Sequence, residues 1–514
     1  MSNALILPVV LGVLIAILLR RLKRRSPLEH LRGPPSSSVV YGNMLDIAQQ
    51  DQVGDMDTKW NREYGGAWRI KNCLGALQHI CQKGGYDYPK DKTLSQTIQM
   101  ITGPGLVAVN GNTHARQRNV VHPAFSNARL RDHLSTFQAV AAKDGFTVNM
   151  HNWLHRTALD MIGQVVSDFD FGALDDEPSE LARAYQSTFG ELPPRPPNSE
   201  VLFKGAWKWM PAMVLDFIKY MPSPETKRLR EALDVMERLG AQLAKQSLVA
   251  STSGKSRDMI GVLVGVNSRQ GPSSRLSDKE LTAQTVTLIL AGHETTATSL
   301  DFMLWELAKR PECQAKIREE IAALRSKVLA RGKIEYTLED LDNLRYTTAA
   351  VKESLRLHAV VYHLTREATK DDILPLSEPI LSRDGQLVHS IPIKAGQLVL
   401  LSQWGFNRLP KYWGSDAETW NPERFLQPDA NRDPSMGMYA NLMSFSAGIR
   451  GCIGWRFAVL QITSIAIQLL EDFELRIPPD TPEIVRAAPG PIMTPYVRGK
   501  MHEGPCMPLQ ISPL

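Results

Sequence analysis

Apolar residues recur at helical spacing along most of the chain from about Asp57 onward, and Gly and Pro interrupt them at intervals. Alternation of apolar and polar residues, which is typical of half-buried strands, is confined to Trp68–Lys71, Leu387–Leu401 and the tail from Phe473 onward. We find no internal repeat. The pattern therefore predicts one large, mainly α domain with small β-sheets at its edge, an α+β architecture.

The first residues of the chain have a different pattern. Ala4 to Leu19 are sixteen residues without a charge, somewhat fewer than the roughly 20 apolar residues that span a bilayer comfortably. A cleaved signal peptide is the alternative, but its basic residues precede the apolar run, whereas here they follow it. The positive-inside rule then predicts a single-pass anchor in the endoplasmic reticulum membrane, with the body of the protein on the cytosolic side.

This pattern divides the chain into three segments. Residues 1–25 are the predicted membrane anchor with its basic flank, residues 26–43 a Pro- and Ser-rich hinge, and residues 44–514 the folded catalytic domain. A further apolar stretch, Val201 to Met221, contains Trp207 and Trp209. A buried helix pair and a second contact with membrane lipid both explain this stretch, and both interpretations stay open.

Charge and cysteine content narrow the class of protein. The net charge is +5, but the basic flank supplies five positive charges, which leaves 54 basic against 54 acidic residues elsewhere. The flank consists of Arg20, Arg21, Lys23, Arg24 and Arg25. Nucleic-acid binding is therefore not predicted. The five cysteines are scattered and odd in number, which predicts a reducing compartment and no disulfide framework.

One cysteine lies in a sequence suited to a metal-bound thiolate. The run Phe445–Gly454 reads FSAGIRGCIG, and its three glycines allow tight turns around Cys452. A strong helix former follows, so Cys452 is predicted at a helix N-terminus, where the helix dipole lowers the pKa of a thiol. A lone cysteine is usually a small buried apolar residue. The glycines, the flanking arginine and the helix start instead favour a single thiolate ligand, which is typical of haem.

A second candidate run lies in a predicted helix from Leu281 to Arg310, which ends before Pro311. Its sequence AGHETT begins at Ala291, and small residues on one face leave room for a flat cofactor and a small ligand. The Thr295 hydroxyl can bond the Ala291 carbonyl four residues back and open the helix locally. Together with the Glu294 carboxylate it can relay protons. Ordinary packing residues in a central helix are the alternative.

A third candidate is a charge pair. Glu353 and Arg356 stand three residues apart on a helix predicted from about Asn343 to Leu357, so that they share a face and can pair. Most such pairs are solvated and contribute little to stability.

In combination, these runs resemble the cytochrome P-450 monooxygenase family. The cysteine run matches the family pattern Phe-x-x-Gly-x-Arg-x-Cys-x-Gly at all five fixed positions. The helix run is similar to the family motif (Ala/Gly)-Gly-x-(Asp/Glu)-Thr, and the charge pair is similar to the motif Glu-x-x-Arg. The resemblance covers nearly the whole chain in the family's usual order and points to its microsomal, fungal-like members.

The resemblance implies a role for each candidate. Cys452 is the axial ligand of the haem iron, and Glu294 and Thr295 deliver protons during oxygen activation. His293 stands at a variable position of its motif and is expected to be a polar spectator. Glu353, Arg356 and Arg424 form a buried structural network. The groups implied to contact haem are Phe445, His114, Arg118, Arg366 and Arg450, with His114 standing where the family usually has tryptophan.

The implied activity is insertion of one oxygen atom from O2 into an apolar small molecule. The cofactor is haem b, and electrons come from NADPH through a separate reductase that carries FAD and FMN, because no nucleotide-binding glycine motif follows the haem segment. Uncharged, mostly aliphatic residues predict a pocket for a lipophile such as a terpenoid or a similar specialised metabolite. These pocket residues are Val286, Ile289, Leu290, Val360, Val361, Leu364 and Ile492.

One segment departs from the family pattern. Between Trp68–Lys71 and Ala76–Ile80 the family places a β-hairpin and a turn, whereas only Asn72–Gly75 remains here. The edge of the sheet is then expected to lack a strand pair. Local rebuilding of the sheet, poor folding and a faulty gene model are the three explanations. Ala359, where the family often has proline, is a smaller departure.

Two other functions stay open from the sequence. A haem-thiolate isomerase, dehydratase or peroxygenase would need no external electrons, although the pair Glu294-Thr295 argues against it. A non-catalytic haem binder is the other alternative, and the shortened segment motivates it.

Overall fold

The computed structural model describes residues 28–38, 41–70, 73–74, 79–125, 147–175, 193–207, 210, 224–252, 258–427 and 436–514. The predicted anchor and most of the apolar stretch after Trp207 lie outside these described residues. Of the helices within the described ranges, none has the length and apolar character that a membrane span requires. Helices dominate this part of the chain, which confirms the mainly α architecture.

The α-helices of the described residues carry the labels used below. They are α1 (Met44–Ala48), α2 (Asp55–Tyr64), α3 (Lys92–Thr102), α4 (Gly111–Val121), α5 (Met150–Ser167), α6 (Asn198–Ala206), α7 (Pro224–Thr252), α8 (Met259–Ser268), α9 (Asp278–Ala308), α10 (Pro311–Ala330), α11 (Leu338–Asp342), α12 (Arg345–Leu357), α13 (Gln403–Phe406), α14 (Pro410–Trp413) and α15 (Trp455–Asp472).

The strands are short and form small sheets. They are β1 (Arg69–Ile70), β2 (Cys73–Leu74), β3 (Thr147–Asn149), β4 (His363–Glu367), β5 (Asp372–Leu381), β6 (Leu387–Ile393), β7 (Leu398–Ser402), β8 (Phe473–Arg476), β9 (Ile484–Ala487), β10 (Thr494–Val497) and β11 (Pro508–Pro513). β4 pairs with β7, β5 with β6 and β9 with β10, while β11 lies between β3 and β8. All of these described pairs are antiparallel.

Strands β1 and β2 occupy the shortened segment. Arg69 pairs with Leu74 and Ile70 with Cys73, and β2 lies against β7. The expectation that this edge lacks a strand pair is therefore wrong. A minimal antiparallel pair rebuilds the sheet locally, as the first of the three explanations proposed.

The central helix α9 organises the main core. It packs against α5, α7, α12 and α15, and its residues Leu300, Phe302 and Leu304 are fully buried. The helix starts three residues before the predicted Leu281 because Ser277 and Glu280 form a reciprocal capping box. It ends at Ala308, shortly before Pro311 begins α10.

A second, smaller core lies under strands β5, β6 and β7. Leu28 and Leu31, in the segment predicted as a hinge, are 3% and 0% exposed and belong to this core. Leu31 also forms an isolated antiparallel bridge with Ser382. Leu28 and Leu31 of the predicted hinge are thus packed on the folded body.

Candidate active site

Two short helical turns hold Cys452. They span Met443–Phe445 and Gly448–Arg450, and the Cys452 N–H donates to the Phe445 carbonyl at 2.8 Å. Gly448 has φ +65°, and a Cβ at this position would lie 1.9 Å from the carbonyl oxygen of Cys81. Glycine is required there, because a backbone carbonyl cannot move aside as a side chain can. The loop ends at Gly454, the N-cap of α15.

The thiol of Cys452 does not follow the prediction made from its helix position. Burial raises the pKa of Cys452, and the backbone N–H of Gly454 and the charge of Arg118 lower it by less. The expected low pKa is therefore wrong for the protein alone, since desolvation outweighs the helix start. A haem iron bound to the sulfur would supply positive charge that stabilises the thiolate here.

Four of the predicted haem contacts lie within one group of residues, which we call the cationic cluster. Its members are Lys90, His114, Arg118, Arg366 and Arg450, and their charges act on one another. Arg118 also donates to the Gly451 carbonyl at 2.9 Å, directly before Cys452. The cationic cluster therefore borders the cysteine loop.

The cationic cluster fits a ligand with two carboxylates. Burial, followed by the neighbouring positive charges, lowers the pKa of Lys90 to about 6 and that of Arg450 to about 10. All three side-chain nitrogens of Arg450 are buried without a hydrogen-bond partner among the described residues. Buried donors normally have partners. The two carboxylates of haem would supply both acceptors and negative charge, so the residues present fit this cofactor.

His114 contributes to the cationic cluster as a neutral group. Burial and four neighbouring cations lower its pKa to about 3. Its Nδ1 lies 3.1 Å from the hydroxyl of Tyr86, whose ring lies under the Arg450 guanidinium at 5.1 Å. Phe445, also predicted to contact haem, is partly buried, with its ring centroid 6.1 Å from that of Tyr439.

The face of α9 that carries Ala291 and Thr295 borders open space. Ala291 is exposed and Thr295 partly exposed, although Leu290 and His293 beside them are buried. Thr295 Oγ1 donates to the Ala291 carbonyl at 2.8 Å, which confirms the predicted bond, and Ser299 Oγ donates to the Thr295 carbonyl at 2.7 Å. Such bonds to carbonyls four residues back loosen and bend a helix. This face offers room for a flat cofactor beside a hydroxyl.

Glu294 faces a different direction, toward helix α5. Its carboxylate oxygens lie 3.0 Å from Nε2 of His293 and 3.6 Å from Nδ1 of His155. Burial raises the pKa of Glu294, but the two histidines lower it by more, so that the pKa lies well below its usual range. His293 is thus a direct partner of Glu294, and its expected role as a spectator in the chemistry stays a prediction.

Glu353 and Arg356 form a fully buried pair. Their side chains are 0% exposed, and Nε and Nη2 of Arg356 lie 2.7 and 2.8 Å from the two carboxylate oxygens. Arg424 Nε lies 3.4 Å from Glu353, and the terminal nitrogens of Arg424 contact Asp416 at 2.8 and 2.9 Å. The structure therefore brings the three predicted residues together and adds Asp416 to them.

Asn407 joins this charged network to the cysteine loop. Its carbonyl accepts a hydrogen bond from Arg356 Nη1 at 2.7 Å. Its side chain accepts from the backbone N–H of Met443 and donates to Ser444 Oγ, both at 2.9 Å. Because Met443 begins the turn that precedes Cys452, the network positions the loop through backbone and side-chain bonds.

The predicted pocket residues fall in two groups. The backbone N–H of Met493 donates to the Val360 carbonyl at 2.8 Å, which places Ile492 close to the segment that contains Val360, Val361 and Leu364. The second group is Val286, Ile289 and Leu290 on α9, and all three are buried in the main core.

Val286 is the residue that the structure separates most clearly from the open face of α9. It packs toward α7, where a Cβ on Gly240 would lie 2.8 Å from Val286 Cγ2. The geometry thus gives Val286 a partner in a neighbouring helix. That the remaining residues line a substrate pocket stays a prediction.

Several residues of the site were missed from the sequence. Lys90 and Tyr86 are single residues in polar segments, which no pattern distinguishes from surface residues. His151 and His155 on α5 approach α9, and their spacing of four residues on one helix face was the available signal.

A cysteine loop at a helix start, a buried cationic cluster and a central helix with an open threonine face together define a haem-thiolate protein. The family model of cytochrome P-450 matches residues 32–500 of this chain. The chain belongs to the cytochrome P-450 family, and haem is the cofactor that this family implies.

Similar proteins extend over nearly the whole chain. Cytochrome P-450 monooxygenase 205 of Postia placenta is 30% identical over 95% of this chain and 93% of its own length. Cytochrome P-450 monooxygenase claQ of Ampulloclitocybe clavipes is 30% identical over 97% and 96%, respectively. A ganoderic acid synthetase of Ganoderma lucidum is 32% identical over 88% and 89%. The chain is therefore an oxidoreductase, a cytochrome P-450 monooxygenase, with fungal relatives.

Proposed function

We propose that this protein inserts one oxygen atom from O2 into an apolar small molecule, with a terpenoid or a similar specialised metabolite as the substrate class. The observation that supports the proposal is the open face of α9, where Ala291 is exposed and the Thr295 hydroxyl is partly exposed. The segment Val360–Leu364 and Ile492 add apolar, uncharged side chains. One relative is named a ganoderic acid synthetase, which assigns that relative to the making of an organic acid.

Each group of the site then has a distinct task. Haem, when bound, supplies oxygen activation, and Cys452 is its proposed iron ligand. The cationic cluster would hold the haem carboxylates by charge-assisted hydrogen bonds. Thr295 holds a proton at Oγ1, now directed at the Ala291 carbonyl, and can redirect it into the open space. Glu294 exchanges protons with His293 and His155 on the side of α9 that faces α5.

We propose that electrons reach the haem from NADPH through a separate reductase that carries FAD and FMN. The test combines the haem-loaded protein with such a reductase, NADPH, a terpenoid panel and ¹⁸O₂. The expected results are the red-shifted Soret band of thiolate ligation with carbon monoxide and a product that carries one ¹⁸O atom. Product formed without NADPH would instead identify an isomerase, dehydratase or peroxygenase. Absence of the red-shifted band would contradict thiolate ligation.

We also propose that residues 1–25 hold the protein in the endoplasmic reticulum membrane with the catalytic domain in the cytosol. The uncharged run from Ala4 to Leu19 and the basic residues behind it support this arrangement. Protease treatment of sealed microsomes tests it, because a cytosolic domain is digested without detergent. A domain that stays protected until detergent is added would overturn the proposed orientation.

A further inference from the structure

A buried group of histidines and carboxyls lies between α5 and α9, and we call it the histidine cluster. It consists of His151, His155, His293, Glu294 and Asp301. Gly292 lets the two helices approach closely here, since a Cβ on it would lie 2.6 Å from Ile162 Cδ1 of α5. His151 and Asp301 thereby meet at 2.6 Å although they are 150 residues apart in sequence.

Three members of the histidine cluster have the spacing of ligands around one metal ion. Nε2 of His293 lies 3.0 Å from one oxygen of Glu294, and Nδ1 of His155 lies 3.6 Å from the other. Adjacent ligand atoms of a tetrahedral zinc site with bonds of about 2.0–2.1 Å are about 3.3 Å apart. The two observed separations, which run to different oxygens of Glu294, lie on either side of this value. Each of the three residues offers a ligand atom within 4.8 Å of the other two.

The second ring nitrogen of each histidine is oriented by a partner outside the proposed ligand set. Nδ1 of His293 lies 3.0 Å from the Ile289 carbonyl, which can only accept, so this nitrogen carries the ring proton and Nε2 faces Glu294. Nε2 of His155 lies 3.4 Å from the Thr298 hydroxyl, which leaves Nδ1 facing Glu294. Metal-binding histidines usually have such a partner, because it fixes the tautomer and the ring orientation.

The carboxylate of Glu294 is the negative charge in the histidine cluster that a bound cation would meet. Within the described residues the ion-pair partners of Glu294 and Asp301 are histidines, and neither carboxyl meets a lysine or an arginine. Imidazole nitrogens and a carboxylate oxygen are donor atoms that zinc binds in proteins, and three residues of the histidine cluster offer them within 4.8 Å of one another. Oδ1 of the fully buried Asp301 has no hydrogen-bond partner in the described part of the chain.

We propose that His155, His293 and Glu294 bind one Zn²⁺ ion, with water completing its coordination and the His151–Asp301 pair beside it. Two imidazoles and one carboxylate form a ligand set that zinc prefers. The side chains of His151 and His155 are 13% and 12% exposed, which gives the ion a route from the start of α5.

Zinc at this site inhibits the enzyme, because it occupies the carboxylate that exchanges protons. This second part rests on the proposed function, whereas zinc binding itself does not.

The binding test uses the full-length, haem-loaded protein, dialysed against Zn²⁺ and analysed for zinc per protein chain. We expect one zinc ion per chain, and a loss of affinity of about ten-fold or more in His155→Ala and His293→Ala. His389→Ala is the matched control, since His389 is an exposed histidine on β6, and it should bind zinc as the unaltered protein does. Equal zinc affinity in His293→Ala and the unaltered protein would overturn the site. The haem spectrum of each variant shows whether it has folded.

Turnover is measured separately, with and without Zn²⁺. Zinc should lower product formation by the unaltered protein and leave His293→Ala at its own zinc-free rate. Stoichiometric zinc without inhibition would overturn the inhibitory part. Absence of the red-shifted Soret band in the unaltered protein would contradict the proposed function. It would not contradict the zinc site, because zinc per chain is measured independently of this band.

Discussion

At the scale of single residues, Thr295 is the group whose chemistry can be isolated best. Thr295→Ala removes the hydroxyl that bonds the Ala291 carbonyl and leaves the cysteine loop unchanged. We expect an unaltered thiolate spectrum, while product formation falls by about 10²-fold and NADPH consumption continues, since one positioned proton-transfer group contributes about this much. Product and NADPH are measured in the same reactions.

The matched control for Thr295→Ala is Thr282→Ala. Thr282 makes the same bond, to the Asp278 carbonyl at 3.0 Å, and is partly buried near the start of α9. Thr282→Ala should leave the ratio of product formed to NADPH consumed unchanged. Equal loss in both variants would show that the hydroxyl acts on the helix and not on proton transfer.

Arg356 tests the charged network at the same scale. Arg356→Ala leaves the Glu353 carboxylate buried without its main partner, which costs roughly 3–5 kcal/mol of unfolding free energy. Lys316→Ala is the comparison, since the Lys316–Glu423 pair at 2.6 Å is about half exposed and is worth at most about 1 kcal/mol. Denaturant unfolding of both variants measures the difference, and equal losses would contradict a special role for the buried pair.

At the scale of elements, the cysteine loop depends on Gly448. Gly448→Ala imposes a positive φ on alanine and drives its Cβ into the Cys81 carbonyl. Gly499→Ala imposes a similar φ of +81°, but its Cβ would meet nothing within 4 Å. This variant therefore has the backbone strain of a positive φ without the steric clash. We expect Gly448→Ala to lose haem incorporation and Gly499→Ala to keep it, measured as haem per chain. Equal incorporation would show that the loop can move away from Cys81.

The start of α9 gives a prediction about pH. Burial raises the pKa of Glu280, but Arg116, Ser277 and Gln117 lower it by more, to about 2 from 4.5. Because the folded-state pKa lies below the unfolded one, ionised Glu280 stabilises the fold above about pH 4.5, and this contribution is lost as the pH falls toward 2.

Glu280→Gln should therefore lower the unfolding free energy at pH 7, and the difference from the unaltered protein should shrink below about pH 4.5. Denaturant titrations across this range measure the difference. Glu319→Gln, which alters an exposed glutamate on α10, is the control. A difference that does not change with pH would contradict the role of the Glu280 charge.

Local signals explain which elements the sequence predicts well. Apolar spacing and Pro311 placed α9 within three residues, and α12 ends at the predicted Leu357. The pKa of Cys452 could not be predicted, because it depends on how deeply the assembled fold buries the sulfur. The histidine cluster could not be predicted from the sequence for a related reason, since its residues meet only where α5 packs on α9. The sequence pattern predicts helices and strands. The depth at which a side chain is buried and the contacts between distant residues are known only from the folded structure.

At the scale of the whole molecule, the boundary between anchor and body is the feature that a truncation can test. Removal of residues 2–25 leaves Leu28 and Leu31 in the second core, so the described fold keeps its contacts. We expect this variant to move from the membrane pellet to the supernatant with its thiolate spectrum intact. A variant that stays in the pellet would show that other residues suffice for membrane binding.

Removal of residues 2–33 tests whether the segment that contains Leu28 and Leu31 stabilises the fold. It also deletes the two buried leucines and the bridge between Leu31 and Ser382. Burial of two leucine side chains is worth about 3–6 kcal/mol, so this variant should unfold at a markedly lower denaturant concentration than the shorter truncation. If the two truncations were equally stable, the segment after residue 28 would be a passive hinge. A less stable longer truncation would show that the folded body begins at Leu28, within the segment predicted as a hinge, and not at residue 44.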